Sequence, residues 1–477
     1  MSKDLPRSAA AAQQVDPAAV LGFVDAVEAD PAIELHSLMV VRNGQVVAEG
    51  WWAPHTPERT RLLYSLSKSF TSTALGFALR EGRFSLDDTV VSHFPEFDAE
   101  ITDPRSRSVT LAHVASMASG HDRDMMQEAL ARDPQEPVRG FLLVAPDAEP
   151  GTVFAYSQPC TYTLAAVIQR KTGMRLTEYL RPRLFDPLGI GEVGWLSWPP
   201  GREQGFSGLF ARTEDVARLG QLYLQRGRWG ETQLLPERYV DQATSRQIDT
   251  PNQENVDWRQ GYGFQFWMAR HGYRGDGVFG QFCVVLPEQN AVVAITGGTE
   301  AMQGVLDHLW RHLLPGLGTG TPDDSLQREL GQRLGRLRLP ACAAKPSPPR
   351  WEDWTDRPFP VAPGAEGVAA APLTSVELRQ TDSGFEATIA EPANGLTFPV
   401  GAGDWLVSAP RDRHGDTIPV AASGGWLDDR TVRVEVIFLE SPHRMDIACS
   451  LPARTAEAAW RGVPLDGGRL QTLHCPR

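Results

Sequence analysis

Ser65-Leu-Ser-Lys68 sets a hydroxyl and a primary amine three residues apart. On a helix that spacing places both side chains on one face, within reach of each other. A serine hydroxyl is a weak nucleophile until a base takes its proton, and an amine is a base only when neutral. The amine must therefore titrate well below its ordinary value of about 10.4, through burial or neighbouring positive charge. The chemistry spelled out is covalent catalysis, with Ser65 attacking a carbonyl and Lys68 receiving the proton. A position near a helix N-terminus adds free amides and the positive dipole end, which favour the developing oxyanion. Ser67 begins no comparable spacing and is not the expected nucleophile.

A Ser-x-x-Lys tetrad arises by chance about once in a chain of this length, so composition has to sharpen it. Lys and Arg total 46, and only Lys3, Lys68, Lys171 and Lys345 are lysines, which leaves 42 arginines. Arginine does not release its proton at accessible pH, and lysine does. A lysine at 68 is the choice a base requires. Tyr156-Ser-Gln158, placed just before the apolar run Leu164-Ala-Ala-Val-Ile168, offers a phenol able to relay a proton between the amine and a leaving group, if it stays partly deprotonated. Gly275-Asp-Gly-Val-Phe-Gly-Gln281 lies between two strand-like runs, and its glycines allow backbone to approach a substrate. The amides of Ser65 and Val278 would then supply the two donors of an oxyanion hole.

Other motifs are set aside. Lys171-Thr-Gly173 ends the helix that follows Tyr156, with Gly173 as its C-cap. His113 and His121 flank Ala118-Ser-Gly120 and are assigned to core or loop. No Gly-x-Ser-x-Gly elbow or Cys-x-x-Cys occurs, and no His-x-x-x-His spacing points to a metal, so neither a histidine triad nor a metal is expected, and no cofactor. Cys160, Cys283, Cys342, Cys449 and Cys475 are scattered and read as buried thiols of a reducing compartment.

The elements that must carry these residues follow from periodicity. Two apolar runs around Asn43-Gly44, from Leu38 to Ala48, form a hairpin. Phe70, Ala74, Phe77 and Ala78 recur at helical spacing after Ser65, and Gly82 supplies a stop. Residues 85 to 240 read as helices and loops. Phe264–Trp267, Phe282–Val285 and Ala291–Ile295 read as strands, and Leu306–Leu314 as a closing helix. Early hairpin and late strands make one antiparallel sheet, with the helical middle as a lobe across a cleft. The expected organisation is a catalytic domain over 1–320, a Pro-rich linker over 321–350 and a small antiparallel β domain over 351–477.

The net charge of −13 and pI near 5.4 argue against nucleic acid as partner. No stretch has the length of a membrane span, and the first thirty residues lack the pattern of a secretory signal, so a cytoplasmic location is expected. Oligomeric state is not legible.

Ser65-Leu-Ser-Lys68, Tyr156-Ser-Gln158, Ser207-Gly-Leu-Phe-Ala-Arg-Thr-Glu-Asp-Val-Ala-Arg-Leu219 and Gly275 to Pro287, in this order, resemble the β-lactamase-related serine hydrolases. The resemblance covers about residues 15 to 315. It implies an α/β fold with a β-lactamase/transpeptidase-like antiparallel sheet and helical lobe, and serine acylation followed by hydrolysis. It also implies Ser65 as nucleophile, Lys68 as base, Tyr156 as proton-transfer group, and Gly277-Val278 as the strand giving the second oxyanion amide. Two positions depart from the family pattern. Gln158 stands where asparagine helps hold a substrate amide, and Gly275 where a Lys or His engages a substrate carboxylate. Both departures shift the expected substrate from penicillin or peptidoglycan towards an ester or a small amide or lactam. A true β-lactamase or DD-peptidase, and a catalytically silent binding or assembly scaffold, remain as the alternatives.

Overall fold

The computed structural model describes residues 4–320, 323–345, 347–348, 350–355, 357–362, 371–382 and 384–476. Helix α1 (Pro17–Ala29) is opened by Asp16, whose carboxylate accepts from the Ala18 amide. Strands β1 (Leu35–Arg42) and β2 (Gln45–Trp51) follow, joined by Asn43 and Gly44 at φ 51° and 76°. Positive φ at both turn residues is what a two-residue hairpin requires, and Asn-Gly supplies it at low cost.

The hairpin belongs to a six-stranded antiparallel sheet. Its order is β2, β1, Ala291–Gly297, Gln281–Leu286, Tyr273–Gly277 and Trp267–Met268. Alternating residues serve two cores. Met39, Val41, Cys283, Val285, Val292 and Ala294 face the helical lobe, while Leu38, Val40, Phe282, Val284, Val293 and Ile295 face α1 and the helix Met302–His308. Covering both faces explains why these strands read as continuous apolar runs. Helix α2 (Ser67–Arg80) is buried from Ser67 through Ala78 and forms the spine of the lobe. Gly82, at φ 65°, lies just beyond it.

Two expectations need correction. Within Phe264–Trp267 only Trp267 joins a strand, because the chain turns at Gln265, φ 63°, whose side-chain amide is buried between Thr161 and the carbonyl of Ala115. The stretch expected to be linker holds a helix, Asp324–Leu334, capped by Asp323. Leu330 and Leu334 are buried in the core beneath α1, and Arg333 pairs with Asp25 and Glu28. A Leu326, Leu330, Leu334 ladder behind an Asp cap was the available signal, masked by the Gly and Pro residues around it. Residues 321, 322, 346 and 349 of the expected linker lie outside the described residues.

Beyond it stand a four-stranded and a five-stranded antiparallel sheet. Trp354, Phe398, Trp426 and Phe438 belong to a core of their own. Alternation is plain in Ser375–Thr381, where Val376 and Leu378 point inward and Glu377 and Arg379 outward. These sheets also grip the catalytic half. The Leu62 amide donates to the Glu440 carbonyl at 2.8 Å, and Arg444 pairs with Glu34 at 3.1 Å. Among the described residues no helix is long and apolar enough to cross a membrane.

Candidate active site

Strand β3 (Arg61–Leu62) leads into a 3-10 turn, Tyr64–Leu66, from which α2 continues. Ser65 therefore sits one residue before the Leu66 N-cap of α2. Lys68 falls in the first turn, 1% exposed. Its Nζ lies 3.1 Å from Ser65 Oγ, 2.7 Å from Gln158 Oε1 and 2.8 Å from the Phe206 carbonyl oxygen. Gln158 opens the helix Gln158–Thr172, and its amide donates to Asp124 at 2.9 Å. Burial pushes the Lys68 amine down to about 7, against the opposing charges of Asp124 and Asp276.

The three hydrogen bonds of Lys68 are informative in combination. A neutral amine has two N–H donors and one lone pair, and two of its three partners are carbonyl oxygens that only accept. The hydroxyl of Ser65 is the partner able to donate to the remaining lone pair. Ser67, by contrast, is buried and its Oγ accepts from the Leu209 amide at 3.0 Å, tying α2 to the strand Leu209–Ala211.

Ser65 opens into a cavity of about 390 Å³ walled by Tyr156, Trp258, Trp267, Asp276 and Val278, with Glu254, Glu300 and Met302 at its edge. Tyr156 stacks on Trp267, ring centroids 5.3 Å apart, and its phenol interacts with Ser65. Lys68 Nζ lies over the tyrosine ring, 4.8 Å from its centroid. Burial, then the charge of Asp276, raises the phenol pKa, so Tyr156 is held protonated rather than partly ionised as expected.

The strand Tyr273–Gly277 explains both glycines. A β-carbon on Gly275 would meet Ser69 Oγ at 2.4 Å and Leu66 Cδ1 at 2.6 Å, and one on Gly277 the Leu63 carbonyl oxygen at 2.2 Å. These contacts come from the segment Leu63–Ser69 around Ser65, so a side chain against the Leu63 carbonyl would push the strand off Ser65. At Gly275 a side chain would have to displace the Ser69 hydroxyl and a Leu66 methyl, whereas at Gly277 the obstacle is backbone. Arg274 offers no cation in place of Gly275, being wholly buried. It donates to Asp276 at 3.0 Å and to the carbonyls of Asp257 and Met268, with its guanidinium 4.3 Å from the Trp258 ring centroid. Burial raises the Asp276 carboxyl, and the Arg274 charge opposes that rise. Among the described residues no lysine or arginine lines the cavity.

The structure thus brings Ser65, Lys68 and Gln158 together, and adds Tyr156, Gly277 and Val278 around them. His121 is bonded to Ser119 and the Val144 carbonyl, and His113 to Thr110, which leaves both as structural residues. Lys171 is exposed at the far end of its helix, and Gly173 is its left-handed C-cap. All five cysteines are buried. No group of His, Cys, Asp and Glu among the described residues is placed to hold a metal ion. Sequence reasoning missed Trp258, Trp267 and Asp276. Asp276 sat inside the singled-out Gly275–Gln281 motif, but nothing in the spacing of the two tryptophans distinguishes cavity wall from core.

Known proteins resemble this chain in sequence and fold. Over residues 23–310 the chain matches the sequence model of the family described as Beta-lactamase. It is 25% identical over 281 residues to a 6-aminohexanoate-dimer hydrolase of Paenarthrobacter ureafaciens, covering 54% of this chain and 71% of that one. It is 26% identical over 345 residues to Penicillin-binding protein 4 of Amycolatopsis lactamdurans, covering 63% and 81%. The solved structure of SurE with D-Leu superposes with a TM-score of 0.50 at 19% identity, over 94% of this chain and 99% of that one, a likeness of fold that includes the C-terminal sheets. With a family match spanning more than half its length, the chain belongs to the Beta-lactamase family and is a serine hydrolase.

Proposed function

We propose that the protein hydrolyses an ester, or a small amide or lactam, through an acyl-enzyme on Ser65. The observation that carries this reading is the contact set of Lys68 Nζ, which touches the Ser65 hydroxyl and two acceptor-only carbonyls; once the amine is neutral, those carbonyls take its two N–H groups and its lone pair falls to the Ser65 hydroxyl. Ser65 Oγ bonds to the substrate carbonyl carbon as its proton passes to Lys68 Nζ. The carbonyl oxygen becomes an oxyanion held by the amides of Ser65 and Val278. Collapse breaks the bond to the leaving group, which takes a proton from the Tyr156 phenol, and Lys68 returns its proton to that phenol. Water then attacks the acyl-enzyme by the reverse sequence and frees Ser65.

Gln158 fixes the amine, and this supports a role in orienting Lys68 alongside any contact with substrate. Exclusion of Lys and Arg from the cavity wall, with Glu254 and Glu300 at its edge, favours neutral or cationic substrates over carboxylates. The aromatic wall suits an apolar acyl or leaving group. Incubation with a fluorophosphonate, followed by peptide mass spectrometry, should place one adduct on Ser65 and none on the Ser65→Ala chain. An adduct on another serine would overturn the assignment.

A further inference from the structure

Both residues flanking the proposed oxyanion hole stand in left-handed backbone. Tyr64, immediately before Ser65, has φ 48°, and Phe279, immediately after Val278, has φ 67°. For bulky side chains this region is strained, and it persists only where the surroundings over-determine it.

Those surroundings come from the C-terminal sheets. The Tyr64 and Phe279 rings pack with centroids 5.4 Å apart, and His443 stands edge-on to both, at 5.8 Å and 4.9 Å. His443 lies in the turn between the strands Thr431–Phe438 and Arg444–Ser450. Its Nδ1 is 3.0 Å from the Gly462 carbonyl oxygen, and its Nε2 bonds to the Tyr64 hydroxyl. A carbonyl accepts only, so the proton resides on Nδ1, and Nε2 accepts from Tyr64. Burial holds the imidazole neutral, its pKa lowered to about 3, which keeps this one tautomer in place. Trp460 closes the other side of the imidazole at 5.9 Å. Gly462 lies so close to Phe279 that a β-carbon there would be 3.0 Å from the ring. The turn itself is pinned to β3, where the Glu440 carbonyl accepts from the Leu62 amide and the Ser441 carbonyl from Arg61.

We infer that His443 is a positioning residue for catalysis, holding Tyr64 and Phe279 in left-handed backbone so that the Ser65 and Val278 amides converge on one oxyanion. The C-terminal sheets thereby serve the reaction rather than merely follow the catalytic half. This inference rests on the oxyanion-hole assignment made above.

The test uses the full chain, a p-nitrophenyl ester and phenylboronic acid, whose boron takes Ser65 Oγ and becomes tetrahedral with an oxygen in the oxyanion position. Tyr64→Phe and His443→Ala are each expected to slow burst-phase acylation at least tenfold, with the half-saturating ester concentration within twofold of wild type. Boronate affinity should fall in parallel with the acylation rate, the double variant should be no slower than the worse single one, and His443→Gln should recover to within about threefold. A contact that only holds the two halves together would lower the melting temperature without moving boronate affinity relative to ester binding. If His443→Ala does not fold, Tyr64→Phe, which deletes one oxygen, decides alone. Acylation within twofold of wild type in folded Tyr64→Phe, or slowed acylation with unchanged boronate affinity, would overturn the inference. Wild-type turnover in Ser65→Ala would instead overturn the acyl-enzyme reading on which it stands.

Discussion

A β-carbon on Gly277 would stand 3.1 Å from the amide nitrogen of Ser65 and 2.2 Å from the carbonyl oxygen of Leu63. The strand edge and the nucleophile's backbone are thus in direct contact, with no room for a methyl group. Gly277→Ala should move the strand and misalign the two amides. The expected loss in kcat/KM is at least about 100-fold, the scale of one lost oxyanion donor. Unfolding should show an accompanying destabilisation of about 1–3 kcal/mol from overpacking. Ester hydrolysis at wild-type rate in this variant would separate Gly277 from the site.

In the proposed mechanism acylation requires Lys68 without its proton, and burial brings that amine down to about 7. The acylation rate should therefore climb tenfold per pH unit below that value and level off above it. Tyr156 does not impose a fall at mildly alkaline pH, because its pKa is raised. In Lys68→Ala the climb should vanish and the rate should drop at least about 100-fold. A stopped-flow pH profile from 5 to 9 distinguishes these outcomes, and a flat wild-type profile contradicts the role given to Lys68.

The same titration leaves a mark on stability. Folding lowers the Lys68 pKa from its ordinary 10.5 to about 7. Between those values the unfolded chain binds a proton that the folded chain does not, so stability rises with pH across that window. Below about 7 both states are protonated and the penalty is constant. Lys68→Met removes the titration. The stability of wild type relative to Lys68→Met should fall as pH drops from about 10 to about 7, by roughly 4 kcal/mol at most, and stay level below. Denaturant melts at four or five pH values would measure it, and a pH-independent difference would count against the lowered pKa.

Gly275→Lys introduces the residue type that the family resemblance implies at this position, yet its first side-chain carbon collides with Ser69 and Leu66. The variant should melt at lower temperature and should gain neither nitrocefin hydrolysis nor faster turnover of a hemisuccinate ester. A stable Gly275→Lys enzyme that hydrolyses nitrocefin would show that the strand has more freedom than the close packing implies.

Much of this site was legible because its chemistry depends on local spacing. Ser65 and Lys68 face each other through three residues of chain, and Gly173 caps a helix wherever that helix is packed. Asn43-Gly44 dictated its hairpin for the same reason. What stayed hidden depends on distant pairings. The Phe206 carbonyl that helps fix Lys68 has no side-chain signature. Trp258 and Trp267 stand in the cavity wall over the buried Arg274, whose guanidinium lies 4.3 Å and 6.0 Å from their ring centroids. Tyr64 looked like any apolar residue before the serine, and its left-handed backbone is explained by His443, 379 positions further along. The helix Asp324–Leu334 is hidden for a different reason: the Pro and Gly residues on either side obscure its three-leucine ladder.

That docked helix has a consequence for the C-terminal sheets. Were residues 321 to 350 a free tether throughout, those sheets would sample a large volume, and His443 would meet Tyr64 at the millimolar effective concentration typical of flexible linkers. With Leu330 and Leu334 seated under α1, and the Leu337 and Leu339 backbone paired with Ala53, much of that chain has already surrendered its freedom in the folded state. The entropy of bringing the two halves together is therefore largely met before their faces touch. The contact between His443 and Tyr64 is thereby held at an effective concentration above what a flexible linker of that length would give.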